Sequence, residues 1–210
     1  RNVFTQEHIW NIIHQDIILV CSNWAKEIIS PINPNVIVCP LGVDKDFTPI
    51  YIPNKDDKVI FYTNGKREIR KGHNYLHKVF HKAFSNYKDV ELWMFTHNHF
   101  DTKEETEAFL RPYDLEILKD QVKFFPWLSK TELIKWLHKT DCGIFLSRSE
   151  GWGMPILESM AMGKEVISTF YSGQTEFLID GIKPLEFEEA FDEKWFNGGF
   201  SWAKIESNEE

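Results

Sequence analysis

Short apolar runs alternate with amphipathic stretches along most of the chain. Ile17 to Cys21 reads IILVC, a β-branched run of the length of a buried strand. Asn23 to Ile29 then reads as a helix that stops before Ser30-Pro31, because proline cannot continue one. Val36 to Cys39 is a second short strand. Pro40 to Asp44 and Phe47 to Pro49 form a connector punctuated by proline and glycine. After the polar stretch Pro53 to Asp57, a new unit begins at Lys58.

From Lys58 the pattern is strand, helix, strand, helix. Val59 to Thr63 is a strand, Gly65 to Gly72 a charged loop, and His73 to Phe84 a helix with Leu76, Val79, Phe80 and Ala83 on one face. Val90 to Phe95 is a strand, and Lys103 to Leu118 a helix interrupted near Pro112. Val122 to Phe125 is a strand. Ser129, with Glu132 three residues on, opens a helix through a capping box. Cys142 to Leu146 is a strand, Met154 to Met162 a helix and Glu165 to Thr169 a strand. Repeated βα units with short apolar strands imply an α/β fold whose parallel sheet is covered on both faces. After about Leu185 the pattern fades into an aromatic, acidic tail in which Trp195, Phe196, Phe200 and Trp202 are expected to pack back on the sheet.

Composition narrows the function. The 210 residues hold 24 basic and 32 acidic side chains, a net charge of -8, opposite in sign to that of most nucleic-acid binders. Whole-chain charge gives no support to a polybasic membrane contact, so any anion site must be built locally. No run of about 18 apolar residues exists, so no transmembrane segment is expected. No signal peptide is expected from the first residues, and a chain opening at Arg1 is expected to be a fragment or processed product. Cys21, Cys39 and Cys142 fit no zinc spacing and read as reduced structural thiols of a cytoplasmic protein.

Three loops can carry chemistry. Ser147 to Gly163 follows a strand and opens a helix, at the carboxyl edge where ligands of parallel sheets bind. Within it Gly151 and Gly153 admit a close backbone, and Glu150 and Glu158 can hold hydroxyls at two ends of one ligand; two solvated glutamates are the plain alternative. Asn64 to Gly72 places four basic residues within six positions, which suits a diphosphate if the loop folds over the sheet edge and is otherwise a solvated charge run. Tyr171 to Glu176 is a Ser-Gly turn before a short helix, whose N-terminus can hold phosphate oxygens. All three follow strands of one parallel sheet, so they are expected to converge on one edge. His73, His77 and His81 recur every four residues, a metal-capable spacing, but with no partner carboxylates they read as a solvated helix edge. His97 to His99 reads as a loop, and Asp44 with Asp46 as structural rather than metal-binding.

The order of these segments resembles the donor-binding half of retaining glycosyltransferases of family 4, which have two Rossmann-like domains in the GT-B architecture. The likeness runs from about Asp16 to Leu178. Val20 to Lys26 resembles the last stretch of the family's first domain, and Pro40 to Asp44 with Phe47 to Pro49 its interdomain connector. Gly65-Lys66 with Arg70-Lys71-Gly72 resembles its "GR…(R)KG" loop. Ser147 to Gly163 resembles its "SRxEGxGxPxLEAMAxGxPVI" segment, with the two glutamates at Glu150 and Glu158. The resemblance implies a Rossmann-like, doubly wound parallel sheet over residues 46–185, a remnant of the first domain with the connector over 1–45, and a tail over 186–210.

The resemblance also implies roles. Glu150 would face the donor sugar and stabilise its developing charge, making it catalytic together with Lys71. Lys71, with Lys66, would neutralise the leaving diphosphate; Lys66 departs from the usual Arg, keeping the charge but losing the bidentate fork. Glu158 would hold the ribose hydroxyls. Backbone N–H groups at Trp152 and Gly153, beside Gly151, would contact sugar hydroxyls. Trp127 and Leu128 fall in the base-binding stretch, and the turn at Ser172 and Gly173 would cap a phosphate. The expected substrate is a UDP- or GDP-sugar transferred to an unknown acceptor with retention, without cofactor or metal. The resemblance implies that the family's first domain, or a partner chain in its place, is needed beside these residues. The expected location is cytoplasmic, a peripheral place at the membrane being compatible with it. Two alternatives stay open: a non-catalytic nucleotide-sugar- or nucleotide-binding module acting with a partner chain, and a sugar-phosphate isomerase of similar two-domain plan, of the nonhydrolysing epimerase type, which the "EGxGxPxLE" segment with the "RKG" loop disfavours.

Overall fold

The computed structural model describes residues 4–50, 52, 57–98, 102, 104, 107, 121–178, 184–185, 188–196 and 198–204. The chain divides into two compact units. The first comprises Arg1–Val43, Ser147–Met154 and Ser168–Glu210, and the second Asp44–Leu146 and Pro155–Ile167.

The first unit opens with helix α1, Gln6–Ile13, which the apolar pattern did not announce. Thr5 Oγ1 accepts from the His8 N–H at 3.2 Å, and His8 Nδ1 accepts from the Thr5 N–H at 3.4 Å. This is a capping box with histidine in the usual place of glutamate. Strand β1, Ile18–Val20, pairs in parallel with β2, Val36–Val38, so that Leu19 faces Ile37 and Val20 faces Val38. Between them runs α2, Asn23–Ile29, capped by the Ser22 hydroxyl. Val20 and Val36 are buried, whereas the register partners Leu19 and Ile37 are 66% and 52% exposed on the opposite face.

The second unit carries most of the main sheet. Strand β3, Val59–Lys66, is longer than the apolar run predicts, because it pairs with β4, Val90–His97, over its whole length, from Val59–Val90 to Lys66–His97. Hydrogen bonds to β4 therefore hold the polar end Asn64-Gly65-Lys66 as strand, and His97 closes β4 instead of opening a loop. Gly72 then turns the chain into α3, His73–Phe84. Its φ is +72°, and a Cβ there would lie 2.4 Å from the Leu146 carbonyl oxygen, so only glycine fits.

Helix α3 has the predicted ends and a different inner face. His73, Leu76, His77 and Phe80 are buried, while Val79 is 48% exposed and Ala83 lies outside. The close seat of Gly72 on Leu146 sets the helix entry, and the buried stripe falls one position away from the predicted one. His73 and His77 are thus core residues, not a solvated edge. Burial pushes His73 down to about 3, assisted by Lys71, Arg70 and Arg67. Burial, then Lys78, pushes His77 down to about 4, so both rings are neutral at pH 7.

Strand β5 is Val122–Phe124, α4 is Lys130–Leu137 and β6 is Cys142–Phe145. The Ser129–Glu132 capping box of α4 forms as predicted. Helix α5, Met154–Ala161, and strand β7, Glu165–Thr169, follow. After a 3-10 turn at Ser172–Glu176 come β8, Pro184–Leu185, and an antiparallel hairpin of β9, Glu188–Phe196, with β10, Gly198–Lys204. The sequence pattern had shown only a fading tail there. Strand order in the main sheet is β5-β4-β3-β6-β7-β8. β3 pairs in parallel with β4 and β6, β4 with β5, and β7 with β8. This is the expected Rossmann-like α/β sheet flanked by helices. Its core in the second unit centres on Ile60, Tyr62, Leu92, Met94, Leu137 and Ile156, all under 2% exposed. Each such side chain contributes roughly 1.5–3 kcal/mol through burial. The helix expected over 103–118 lies almost wholly outside the described residues, as does His99.

Candidate functional site

In the second unit, the chemistry gathers at the carboxyl end of β3. Gly65 and Lys66 are the last residues of the strand, and a 3-10 turn at Ile69–Lys71 brings the chain back over it. The Lys71 ammonium lies 3.9 Å from the point where a Cβ on Gly65 would stand, and Pro155 Cγ lies 3.8 Å from it. A Cβ at position 65 would meet both groups at ordinary van der Waals distance. The cationic loop is more neutralised than its composition suggests. Glu68 bridges Lys66 at 2.8 Å and Arg70 at 2.9 Å, and Arg67 is 7% exposed.

Glu158 is the fifth residue of α5, little more than one turn from its start. Burial pushes its carboxyl up to about 7; Lys130 draws it down, Asp44 pushes it up, and Lys71 draws it down. Three charged groups, from α4, the connector and the loop after β3, therefore act on one carboxylate of α5. Lys130 is itself gripped by Asp44 at 2.5 Å and Asp46 at 2.9 Å, so the Asp44–Asp46 pair is a structural ion-pair partner. Among the described residues, no group of three or more His, Cys, Asp or Glu side chains can hold a metal ion. An open pocket of about 340 Å³ lies beside the end of β3, lined by Asn64, Lys66, His97, Pro126, Trp127 and Leu128 among others. Trp127 is 56% exposed there and is an aromatic side chain of the kind that packs on flat ligands.

In the first unit, the segment Ser147–Met154 is locked against the Ser172–Glu176 turn. Glu150 is 8% exposed, and its Oε1 accepts from the Ser147 hydroxyl at 2.7 Å. Its N–H donates to Ser172 Oγ at 2.8 Å, and its carbonyl accepts from the Gly173 N–H at 2.9 Å. Ser172 adopts φ +65°, a left-handed conformation that this pair of bonds holds in place. A Cβ on Gly173 would lie 2.1 Å from the Gly151 carbonyl oxygen, so the two backbones touch. Beneath them the fully buried Gln174 amide donates to the Thr169 carbonyl, and Thr169 Oγ1 donates to the Ser147 carbonyl at 2.5 Å. Gly151 is exposed, Gly153 adopts φ +95° just before α5, and the buried Trp152 ring packs edge-on against Phe177 at 5.2 Å.

The structure thus brings Lys66, Lys71 and Glu158 to one region of the second unit, with Trp127 and Leu128 on the pocket beside Lys66. It groups Glu150, Gly151, Trp152, Gly153, Ser172 and Gly173 in the first unit. Within that group Ser172 and Gly173 bind the backbone of Glu150. Sequence reasoning had missed Ser147 as the holder of the Glu150 carboxyl, though a hydroxyl three residues before a loop carboxylate is a legible pairing. It had also missed Asn23, whose N–H and Nδ2 bind Glu176 at 2.7 and 2.8 Å. Nothing local marks that contact.

Comparison with known proteins gives the family. The Glycosyl transferases group 1 profile matches residues 44–197. Curated protein sequences give no match. Among solved structures, the chain is similar to the C-terminal domain of a glycosyl transferase group 1 family protein, LpcC, from Francisella tularensis. That likeness has TM-score 0.58 and 21% identity over 66% of this chain and 76% of that one. HepE from Anabaena, crystallised with UDP and glucose, is similar at TM-score 0.70 and 14% identity over 86% of this chain and 53% of HepE. A glycosyltransferase from Rickettsia africae is similar at TM-score 0.68 and 19% identity over 90% of this chain and 54% of that one. The chain therefore spans about half the length of these last two proteins. At such identities the structures establish a shared fold. The profile, spanning more than half of the sequence, goes further: this protein belongs to the Glycosyl transferases group 1 family.

Proposed function

We propose that the chain is the donor-binding half of a retaining family 4 glycosyltransferase of the GT-B type. It binds a UDP- or GDP-sugar and works in the cytoplasm with a first domain or partner chain that carries the acceptor site. Lys71 and Lys66 neutralise the departing diphosphate, Glu158 holds the ribose hydroxyls, and Trp127 with Leu128 receives the base. Glu150 stabilises the charge that develops on the sugar, while N–H groups at Trp152 and Gly153 orient its hydroxyls. Ser172 and Gly173 keep the Glu150 backbone in place. As the anomeric carbon–oxygen bond breaks, positive charge grows on the sugar ring and negative charge on the diphosphate. Preset cations and N–H groups meet that charge without a proton transfer or a metal. The acceptor attacks from the face the diphosphate leaves, which retains configuration.

The observation that carries this reading is the Lys71 ammonium set over Gly65, beside a carboxyl that burial leaves poised near neutrality. A fixed cation at a strand end and an acceptor short of donors suit a diphosphate and a diol. Calorimetry of the chain with UDP and GDP in EDTA tests it. At least one nucleotide is expected to bind, and Glu150→Gln is expected to leave that affinity unchanged, since Glu150 acts on the sugar. Binding of both nucleotides only after a divalent ion is added, or an equal loss in Glu150→Gln and Glu158→Ala, would overturn these assignments.

A further inference from the structure

The first unit holds a feature outside this chemistry. Cys21 and Cys39 are far apart in the sequence, yet they follow β1 and β2 directly, one step beyond the Val20–Val38 register pair. The Cys39 N–H donates to the Val20 carbonyl at 2.7 Å, the bond that closes the Val20–Val38 pair and holds the two strand ends together next to both cysteines. Neighbouring strands lie about 4.7–4.9 Å apart, so two residues in register stand within the 4.4–6.8 Å between Cα atoms that a disulfide spans. In-register residues of a parallel pair point to the same side. Cys39 follows Ile37 by two on the open side of β2, and Cys21 stands at the bend where β1 ends. Cys39 is exposed and Cys21 half-buried, so oxidant reaches at least one sulfur directly. Pro40 after Cys39 favours extended backbone at that residue, and Ser22 after Cys21 is extended at φ -138° and ψ 154°. The third cysteine is different. Cys142 is buried in β6, and burial, then Glu165 and Asp141, pushes its thiol up to about 11.

We propose that Cys21 and Cys39 form a cross-strand dithiol that closes to an intrachain disulfide under oxidation by a small disulfide. One thiolate attacks a sulfur of glutathione disulfide and releases one glutathione thiolate, leaving a mixed disulfide on the protein. The second thiolate attacks the protein sulfur of that mixed disulfide and releases the second glutathione. Each cysteine sulfur loses one electron, glutathione disulfide gains two, and the two thiol protons pass to the released glutathione. The product is a ring that contains the whole of α2. The first residue of that helix, Asn23, grips Glu176 through its N–H and its side-chain amide. The bridge therefore ties down the segment that anchors the Ser172–Glu176 turn.

The test is incubation of the native chain with reduced and then oxidised glutathione, followed by intact mass and peptide mapping. The expected product has lost two hydrogens, keeps one thiol of three, and yields a single cross-linked peptide pair carrying Cys21 and Cys39. Cys142→Ser is expected to give the same bridge, whereas Cys21→Ser and Cys39→Ser each give none. Amides of α2 are expected to exchange several-fold more slowly in the oxidised chain, and dithiothreitol to restore the original rate. Stable glutathione adducts without ring closure, cross-linking between two molecules, or no reaction at Cys21 in the folded chain would each overturn the proposal. Circular dichroism of the serine variants separates loss of the bridge from loss of the fold.

Discussion

Two carboxylates of the second unit are withdrawn from water in opposite ways. Glu91, on β4, is 2% exposed and surrounded by donors. Lys58 reaches it at 2.6 Å, Lys123 at 2.7 Å and the Trp93 indole N–H at 2.8 Å. Burial alone would raise its pKa, but those three bonds outweigh it and hold the carboxyl below its ordinary value. Glu158, on α5, accepts no hydrogen bond from a described side chain, and burial carries it up to about 7. Donors bonded to Glu91 reverse the effect of its burial, and Glu158 has no such bonds among the described residues. A carboxylate that the fold has satisfied is finished structure, and one left short of donors is available to a ligand's hydroxyls.

That contrast can be broken in four ways. The largest effect is expected at the satisfied group. Glu91→Leu strands the Trp93 N–H and removes the shared partner of two lysines. It should cost about 3 kcal/mol of stability, read as a lower urea midpoint, with nucleotide affinity unchanged. Next, Glu158→Ala should weaken UDP binding by about 1.5–3 kcal/mol, roughly 10- to 150-fold by calorimetry, with little loss of fold.

The third prediction concerns stability and pH. The folded state holds the Glu158 proton more tightly than the unfolded chain does. Stability should therefore fall as pH rises from the ordinary glutamate range to about 7, and stay lower above it. Glu158→Gln removes that penalty. At pH 8 the variant should be more stable than the native chain by on the order of 2 kcal/mol, while binding nucleotide less well. A variant destabilised at pH 8 would place Glu158 with Glu91 among the structural carboxylates. The smallest effect is on affinity. Affinity for a nucleotide sugar, whose diphosphate diester does not titrate near neutrality, should rise up to about tenfold from pH 6 to pH 8. In Glu158→Gln it should be flat.

Legibility in the sequence followed how local each determinant was. Helix α2 is bounded by the Ser22 cap and the Ser30-Pro31 stop, and α4 by the Ser129–Glu132 box, so both were readable. The far end of β3 was not, because only pairing with β4 makes Asn64-Gly65-Lys66 a strand. The inward turn of His73 and His77 depends on Gly72 seated against Leu146, a contact between distant segments. Helix α1 buries none of its residues and is capped through a histidine, so it lacked the usual start signal. At the candidate site, residue types and spacing named the loops. They could not tell that Glu68 neutralises Lys66 and Arg70, or that Ser147 and Ser172 hold Glu150. Those pairings are set by side-chain reach in three dimensions.

The open face of β1 and β2 has a colloidal consequence. Ile17, Leu19 and Ile37 are each more than half exposed, and α1 adds Trp10 at 64% and Ile13 at 54%. Two parallel strands with one bare apolar side are a marginal sheet, since parallel sheets are normally covered on both faces. At high concentration that side should drive self-association, so the solution behaviour of the isolated chain is governed by a handful of aliphatic side chains that are not among the candidate site residues. Lysine at position 19 or threonine at position 37 would be the first solubilising substitutions to make.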